Sequence, residues 1–576
     1  MIFRLLVLYL AVVILICAPV FGQSEWTMAR YDEGQTGYTP VKIDVPLSLS
    51  WQYDTAEFPD NRSTPAVVGG VVYFSSGNVL WAVDAATGTL IWRYPSTDTL
   101  RYYIKTGITV SGGLVLFGCT DGNLYAVNAK DGRIAWTYMT NGTIRSTPVV
   151  SGGVVYFGSD DNNLYALDLK TGESIWAGGF RTGDDVQTPP AIGPGVVIFI
   201  SMDANVYGAN PATGKLRWSY RLPLSPVRMQ PIVSGNLAFV GCGGTIFVLS
   251  AKTGQLRYTI NLPSDLTAPP VVTGTELYVM CRNKKIYAFT VNQSMARSKW
   301  TEPADVGIIS YAPLTVAGDI IFAVTRRGTV AAYSTEDGRL LWRQVLSPSQ
   351  IGMADNIRQA FTNISAPVAV AGNSLYVIAD DGALRCFKNT AGDKTPPRIF
   401  NVVPTPGTAM SGLPPVLISA MLFDDTTGID PSSVRLLIDD QRVDATFDHT
   451  TLTLTYETPL TTPTQKLSDG RHFLTIIASD WKGNELNYKW SFIADNSLPP
   501  RPVPKSVKQK SRTTGGSTSQ PSGSGAGTTP SGTSGTSTPS ETIAPSSGPP
   551  TPPTGGPPMP PRTRRDRPTD TQGPVD

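Results

Sequence analysis

Ala82-Val83-Asp84-Ala85-Ala86-Thr87-Gly88-Thr89-Leu90-Ile91-Trp92 is a segment to which this chain keeps returning. It recurs from Ala126 through Asn128 and Gly132 to Trp136, from Ala166 through Asp168 and Gly172 to Trp176, and from Gly208 through Asn210 and Gly214 to Trp218. A fifth copy runs from Val248 through Gly254 to Tyr258. The sixth starts at Ala288 and reaches Trp300 by a longer loop without the Gly, and the seventh runs from Ala332 through Gly338 to Trp342. In an eighth, Cys386 takes the Ala position and Gly392 the Gly position, but Pro396 stands where Trp is expected. Fixed self-similarity at this period in a strand-rich chain marks a propeller.

Trp51 stands alone upstream of the first copy. Counting it, the aromatic positions are Trp51, Trp92, Trp136, Trp176, Trp218, Tyr258, Trp300 and Trp342, at spacings of 41, 44, 40, 42, 40, 42 and 42 residues. Pro396 and Pro397 cannot feed a central ladder, so the strand around Trp51 is expected to close the eighth blade and remove the open edges of a linear array. Each unit reads as four strands. In the third, Thr147-Pro148-Val149-Val150 opens, Ser151-Gly152-Gly153 turns, Val154 to Gly158 is a buried strand, Leu164 to Asp168 is the third, and the fourth is expected to end on Trp176. The Gly of the intervening hairpin supplies a positive φ. The expected fold is all-β: an eight-bladed β-propeller, then a β-sandwich, then a disordered tail.

The pattern Ala-x-Asp-x-x-x-Gly-x-x-x-Trp resembles the pyrroloquinoline-quinone-like (PQQ-like) propeller repeat, over roughly residues 24–394. Trp26-Thr27-Met28-Ala29-Arg30-Tyr31-Asp32, with Thr36-Gly37-Tyr38, resembles the lead-in of such proteins. A WD40 propeller is disfavoured, since no Gly-His and Trp-Asp pairs appear in step. The resemblance implies two kinds of relative. Quinoprotein dehydrogenases are expected to carry adjacent cysteines beneath the cofactor, a carboxylate and amide set for Ca²⁺, and long inserts between blades. This chain has no Cys-Cys and no such inserts. The non-enzymatic comparison is the propeller lipoprotein of outer-membrane-protein assembly, although Ile16 before Cys17 spoils a lipidation signal.

The flanks set the compartment. Arg4, the apolar run Leu5 to Cys17, and Val20-Phe21-Gly22 read as a signal peptide over 1–22, leaving the propeller over 23–394 and no transmembrane span after cleavage. Residues 395–496 alternate as strands, and Leu467-Ser468-Asp469-Gly470-Arg471-His472 followed by Ala478-Ser479-Asp480-Trp481-Lys482-Gly483-Asn484 resembles a bacterial Ig-like sandwich. Residues 497–576 are Ser, Thr, Gly and Pro with few aliphatics, and are expected to be disordered.

Among the 576 residues, a formal net charge of +2 gives no sign of nucleic-acid binding. Cys119, Cys242, Cys281 and Cys386 form no metal-like cluster. Cys242 and Cys281 fall in neighbouring blades, with buried free thiols the preferred reading over a disulfide. The only two His, His449 and His472, lie outside the repeats. Asp424, Asp425, Asp430, Asp439 and Asp480 read as turn residues in preference to Ca²⁺ ligands. No catalytic, cofactor-binding or metal residue is assigned, and no cofactor is expected, PQQ with Ca²⁺ belonging only to the alternative. One pattern exceeds packing. The residues three before the Pro, or its equivalent, that opens each blade include Arg62, Lys105, Arg145 and Arg228, which read either as a basic arc near a channel mouth or, the preferred reading, as ordinary solvated loop-end charges partly neutralised by Asp184, Asp185 or Asp265. The expected function is an exported, monomeric, non-enzymatic scaffold in the periplasm, at the cell surface or secreted, presenting the propeller to a protein or envelope polymer. A periplasmic quinone-dependent oxidoreductase and a polysaccharide-binding surface protein are the alternatives.

Overall fold

The computed structural model of the chain describes residues 25–55, 63–225, 229–347, 361–458 and 466–502. The signal segment and almost all of the tail lie outside them. Eight antiparallel sheets succeed one another along the chain, each with three strands in sequence and a fourth on the outer edge. The second strands are buried along almost their whole length, as in Leu114–Gly118 and Val154–Ser159. In the eighth sheet the order is Ser48–Asp54, Ala383–Lys388, Ser374–Ile378, Ala369–Ala371, with Trp51 opposite Cys386. The innermost strands of the first and eighth sheets touch, so the ring closes.

The outer strands do not end on the docking aromatic. In the second blade a register shift between Ile134 and Trp136 lets Ile134–Met139 keep pairing past the Trp. In the third, the outer strand is Phe180–Arg181, wholly beyond Trp176. The bulge turns the indole toward the next blade while the backbone continues along its own. That placement explains the Gly of the motif more fully than its φ does. A Cβ on Gly132 would lie 2.6 Å from the Trp92 ring, and one on Gly254 2.4 Å from that of Trp218. The hairpin backbone is the floor on which the preceding blade's indole lies.

Each docking aromatic also donates a hydrogen bond to a backbone carbonyl of the next unit. Trp51, Trp92, Trp136, Trp176, Trp218 and Trp300 reach Ala85, Ala129, Leu169, Pro211, Ala251 and Thr335 at 2.9–3.2 Å. The Tyr258 hydroxyl reaches Asn292 at 2.7 Å. Trp342 breaks the series. Its Nε1 donates to Thr427 O at 2.9 Å, outside the repeats altogether.

Thr427 belongs to a two-sheet sandwich. One sheet is Arg398–Val403, Leu417–Phe423, Thr453–Glu457 and Thr446–Asp448. The other is Ala409–Met410, Glu485–Ala494, Gly470–Ser479, Arg435–Ile438 and Gln441–Val443. Leu417–Phe423 alternates strictly between half-buried and buried, sending Ile418, Ala420 and Leu422 into the core with Leu474, Ile476, Trp490 and Phe492. Because the eighth blade takes its outer strand from upstream, it has no third-to-fourth hairpin, and the sandwich turn 424–428 occupies that place. Leu49 N donates to Thr426 O, Gln344 Nε2 to Asp424 O, and Trp481 Nε1 to Arg343 O.

Candidate functional site at the channel mouth

Residues Trp26–Gly37 lie along the inside of the ring. The middle residue of an innermost strand points its amide at the channel, where no strand remains to pair with it. Six such amides are met by Trp26–Gly37: Val67, Val110, Ile192, Val233, Val272 and Val316 donate to carbonyls of Trp26, Thr27, Glu33, Gly34, Thr36 and Gly37 at 2.8–3.1 Å. The lead-in is thus an inner strand shared by blades one, two and four to seven, satisfying main-chain donors that would otherwise be buried unpaired. Its compactness is costly. Tyr31 and Gln35 sit at φ 74° and 59°, and Gly34 has backbone so close that a Cβ would lie 2.4 Å from Val233 O.

Above this segment a cavity of about 220 Å³ opens at the mouth formed by the loops entering each blade. Ala29 and Arg30 make its floor. Lys105, Arg145, Arg326, Thr188, Gln230 and Tyr311 are among its walls, and no carboxylate is among its described lining residues. Arg30 is 3% exposed. Its guanidinium donates to Pro269 O at 3.3 Å, Pro270 O at 2.5 Å and Thr36 O at 3.4 Å, while Nε has no partner. Burial lowers this group to about 10, against the opposing pull of Asp32, so it stays charged at neutral pH. The buried Thr188 hydroxyl is also unpartnered. At the rim, Lys105 lies 5.0 Å from the Tyr103 ring centroid, Arg101 5.5 Å from Tyr102, and Arg326 4.6 Å from Tyr311. Tyr102, Tyr103 and Tyr311 are exposed.

Of the arc read from the sequence, Lys105 and Arg145 line the cavity, whereas Arg62 and Arg228 lie outside the described residues. Arg145 is neutralised by Asp160, which takes its Nε–H at 2.7 Å, and the charge of Arg145 also acts on Asp185, one of the three acids anticipated. Arg30 and Arg326 were missed, because only the blade-entry loops had been aligned. The turn between second and third strands carries the signal: Asp121, Asp161, Asp203 and Asp381 recur there, but blade seven has Arg326-Arg327.

The acidic residues of the sandwich serve turns and pairs. Asp425 pairs with Arg398, Asp439 with His472, and Asp430 caps a short 3₁₀ turn. Asp424 and Asp480 meet Asp393, with oxygens within 4.8 Å of one another. Asp424 accepts three backbone N–H groups, Asp480 those of Lys482 and Asn484, and Asp393 the Thr427 hydroxyl. Burial raises Asp424 above the usual carboxylate range.

All four described cysteines are free and buried. Burial pushes Cys119 and Cys281 up to about 12 and Cys386 to about 11. Since the thiolate is the reactive form, native protein at pH 8 is expected to react with a thiol-specific dye at least about 100-fold more slowly than guanidinium-unfolded protein, which then releases four equivalents from these positions. Fast labelling of two or fewer after unfolding would instead signal a disulfide.

The quinone cofactor of some PQQ-like propellers does not fit these residues. Ca²⁺ takes six to eight oxygen ligands, and no carboxylate is among the described residues lining the cavity. At about 220 Å³ the cavity is below the range of sites for drug-sized ligands, about 300–1,000 Å³.

A family model described as outer membrane protein assembly factor BamB matches residues 77–232 and 225–406, more than half of the chain. BamB of Yersinia pestis is 27% identical over 164 residues, 28% of this chain and 40% of that protein. The 1-butanol dehydrogenase (cytochrome c) of Thauera butanivorans is 30% identical over 115 residues, 18% of this chain and 17% of that protein. The chain thus spans well under half the length of these relatives. Quinohemoprotein alcohol dehydrogenase ADHIIG of Pseudomonas putida superposes at TM-score 0.51 and 17% identity, covering 68% of this chain and 83% of its own, a likeness of fold. Repeat, ring and family match agree: the chain belongs to the PQQ-like β-propeller family described as outer membrane protein assembly factor BamB.

Proposed function

We propose that the protein is an exported, non-enzymatic scaffold of the cell envelope, whose propeller face at the channel mouth binds another protein. One observation carries this reading: residues 26–37 of the chain itself bond to the innermost strands of six blades, and the mouth above them is a small cavity lined by Ala29 and Arg30. What remains open to a partner is a rim of exposed Tyr and Arg, the residue types enriched where interfaces are strongest. The sandwich, read as an Ig-like module, is a spacer fixed to the ring.

The second reading is a quinone-dependent oxidoreductase, favoured by the match to several quinoprotein alcohol dehydrogenases. A photocrosslinker at Tyr103 or Tyr311 in the exported protein tests the first reading. Discrete protein adducts at these positions, and none at Lys130 on the opposite face, are expected. Calorimetry with PQQ and Ca²⁺ tests the second, and stoichiometric binding with a bound-quinone spectrum would overturn the scaffold.

A further inference from the structure

We infer that the face opposite the mouth docks, at blades four and five, on the surface of an anionic lipid bilayer. The inference does not depend on the scaffold reading, since it concerns the other side of the ring.

That face is made of the hairpins joining third to fourth strands and the turns joining first to second. In blades one and three the hairpin opens on an acid. Asp84 accepts the N–H groups of Ala86 and Thr87, and Asp168 those of Lys170 and Thr171. Blade four does the same with a neutral residue, Asn210 accepting from Ala212 and Thr213 at 2.9 and 3.2 Å. Blade five has Ser250, whose carbonyl accepts the Gly254 N–H. The hairpin therefore folds with or without the charge, and packing does not demand the loss of the acid in these two neighbours. Neither their hairpins, 210–216 and 250–256, nor the turns 194–195 and 235–236 beside them contain Asp or Glu. Elsewhere around the rim the acids Asp131, Glu173, Glu336 and Asp337 return.

What stands in this sector is cationic and apolar. Lys215, Arg217, Lys252 and Arg257 are exposed, and among the described residues no carboxylate pairs with any of them. Between them Leu216 and Leu256 are 54% and 44% exposed. The two hairpins adjoin: Trp218, next to Arg217, donates its Nε1–H to Ala251 O, beside Lys252, at 3.1 Å. Arg217 Nη1 lies over the first turn of its own blade, 4.0 Å from where a Cβ on Gly195 would be. The matching turn of blade five is low and open, for a Cβ on Gly235 would meet nothing within 4 Å.

Unpaired cations interleaved with half-exposed leucines suit the boundary between lipid headgroups and acyl chains. A basic residue near an anionic bilayer strengthens binding about fivefold. A protein partner would have to bring carboxylates at matching positions, whereas lipid phosphates diffuse to wherever the cations stand. The route of the chain agrees. Glu25 accepts the N–H of Gly69 at 3.1 Å, in the corresponding turn of blade one. The apolar run Leu5–Cys17 is thus joined to this same face through residues 18–24, and such a run lying in a bilayer would hold the face toward it. The mouth then points away from the lipid.

The test uses the full chain from residue 23, sedimented with phosphatidylcholine vesicles with and without about one-third phosphatidylglycerol at low salt. Binding is expected only with the anionic lipid. Arg217→Glu together with Lys252→Glu should weaken it at least about tenfold, and Leu216→Ser with Leu256→Ser severalfold. Lys130→Glu with Lys170→Glu, the same charge change on blades two and three, should cost distinctly less. All these side chains are exposed, and unchanged melting will show that the variants fold. Equal binding to pure phosphatidylcholine, or equal losses from the two charge-reversed pairs, would overturn the assignment. So would leucine variants that bind as the parent does, since the cations would then serve a soluble anionic polymer. Protein adducts at Tyr103 without vesicle binding would sink this inference and leave the scaffold standing, and vesicle binding without adducts would do the reverse.

Discussion

A chain lacking residues 25–55 is expected to lose its sharp thermal transition, while one lacking 504–576 keeps it. The deletion removes two things at once. Ser48–Asp54 is the outer strand of the eighth blade, and without it Ala383–Lys388 becomes an open edge. Trp26–Gly37 meets six channel-facing amides, each main-chain bond contributing about 1 kcal/mol net. Trp26, Ile43 and Leu47 are 1%, 3% and 0% exposed, and burying such side chains contributes roughly 1.5–3 kcal/mol apiece. The sum is on the order of a domain's whole net stability, about 5–15 kcal/mol. Scanning calorimetry checks it: a truncated chain with an unchanged transition would show that the ring closes without its upstream strand.

Trp342→Ala is expected to cost more than the same change at any other docking position, about 3–5 kcal/mol. Its indole is 0% exposed, whereas Trp136, Trp176, Trp218 and Trp300 keep 2–9%. The difference is the sandwich turn lying where a repeat hairpin would. The loss should therefore depend on the sandwich. In a chain ending at residue 394, Trp342→Ala should cost less than half as much, and a double-mutant cycle between the truncation and the substitution should show the coupling. Trp92→Ala, in a blade pair that the sandwich does not touch, should be indifferent to the truncation. Equal costs for Trp342→Ala with and without the sandwich would mean that its turn merely rests on the ring.

These two expectations divide along what the sequence made legible. The repeat, its Trp ladder and the closure by Trp51 are periodic, and periodicity survives in one dimension because each blade meets only its neighbours. The strands Leu417–Phe423 and Gly470–Ser479 were readable for the same reason, through period-two alternation. What was not legible is aperiodic. Arg30 gives no sign in the sequence that it will be buried at the axis, since its partners Pro269 and Pro270 lie five blades away. Thr427 satisfies Trp342 from outside the repeat, so no alignment of repeats could find it. The basic arc was half found, because Lys105 and Arg145 share an alignment position and Arg326 belongs to a different turn.

The lead-in also bears on when the molecule can be finished. Trp26–Gly37 is translated before any blade, yet the carbonyl of Gly37 waits for Val316, in the seventh. Single blades can form from contacts between neighbouring strands as the chain emerges. The ring, however, has to assemble around a segment already lying where its axis will be, and such long-range pairing is slow. The same constraint operates in reverse. A simple repeat array frays from its ends one unit at a time, but here the first blade cannot open without breaking the bond of Val67 to a segment that five other blades also hold. The protein therefore gains a kinetic barrier to unfolding.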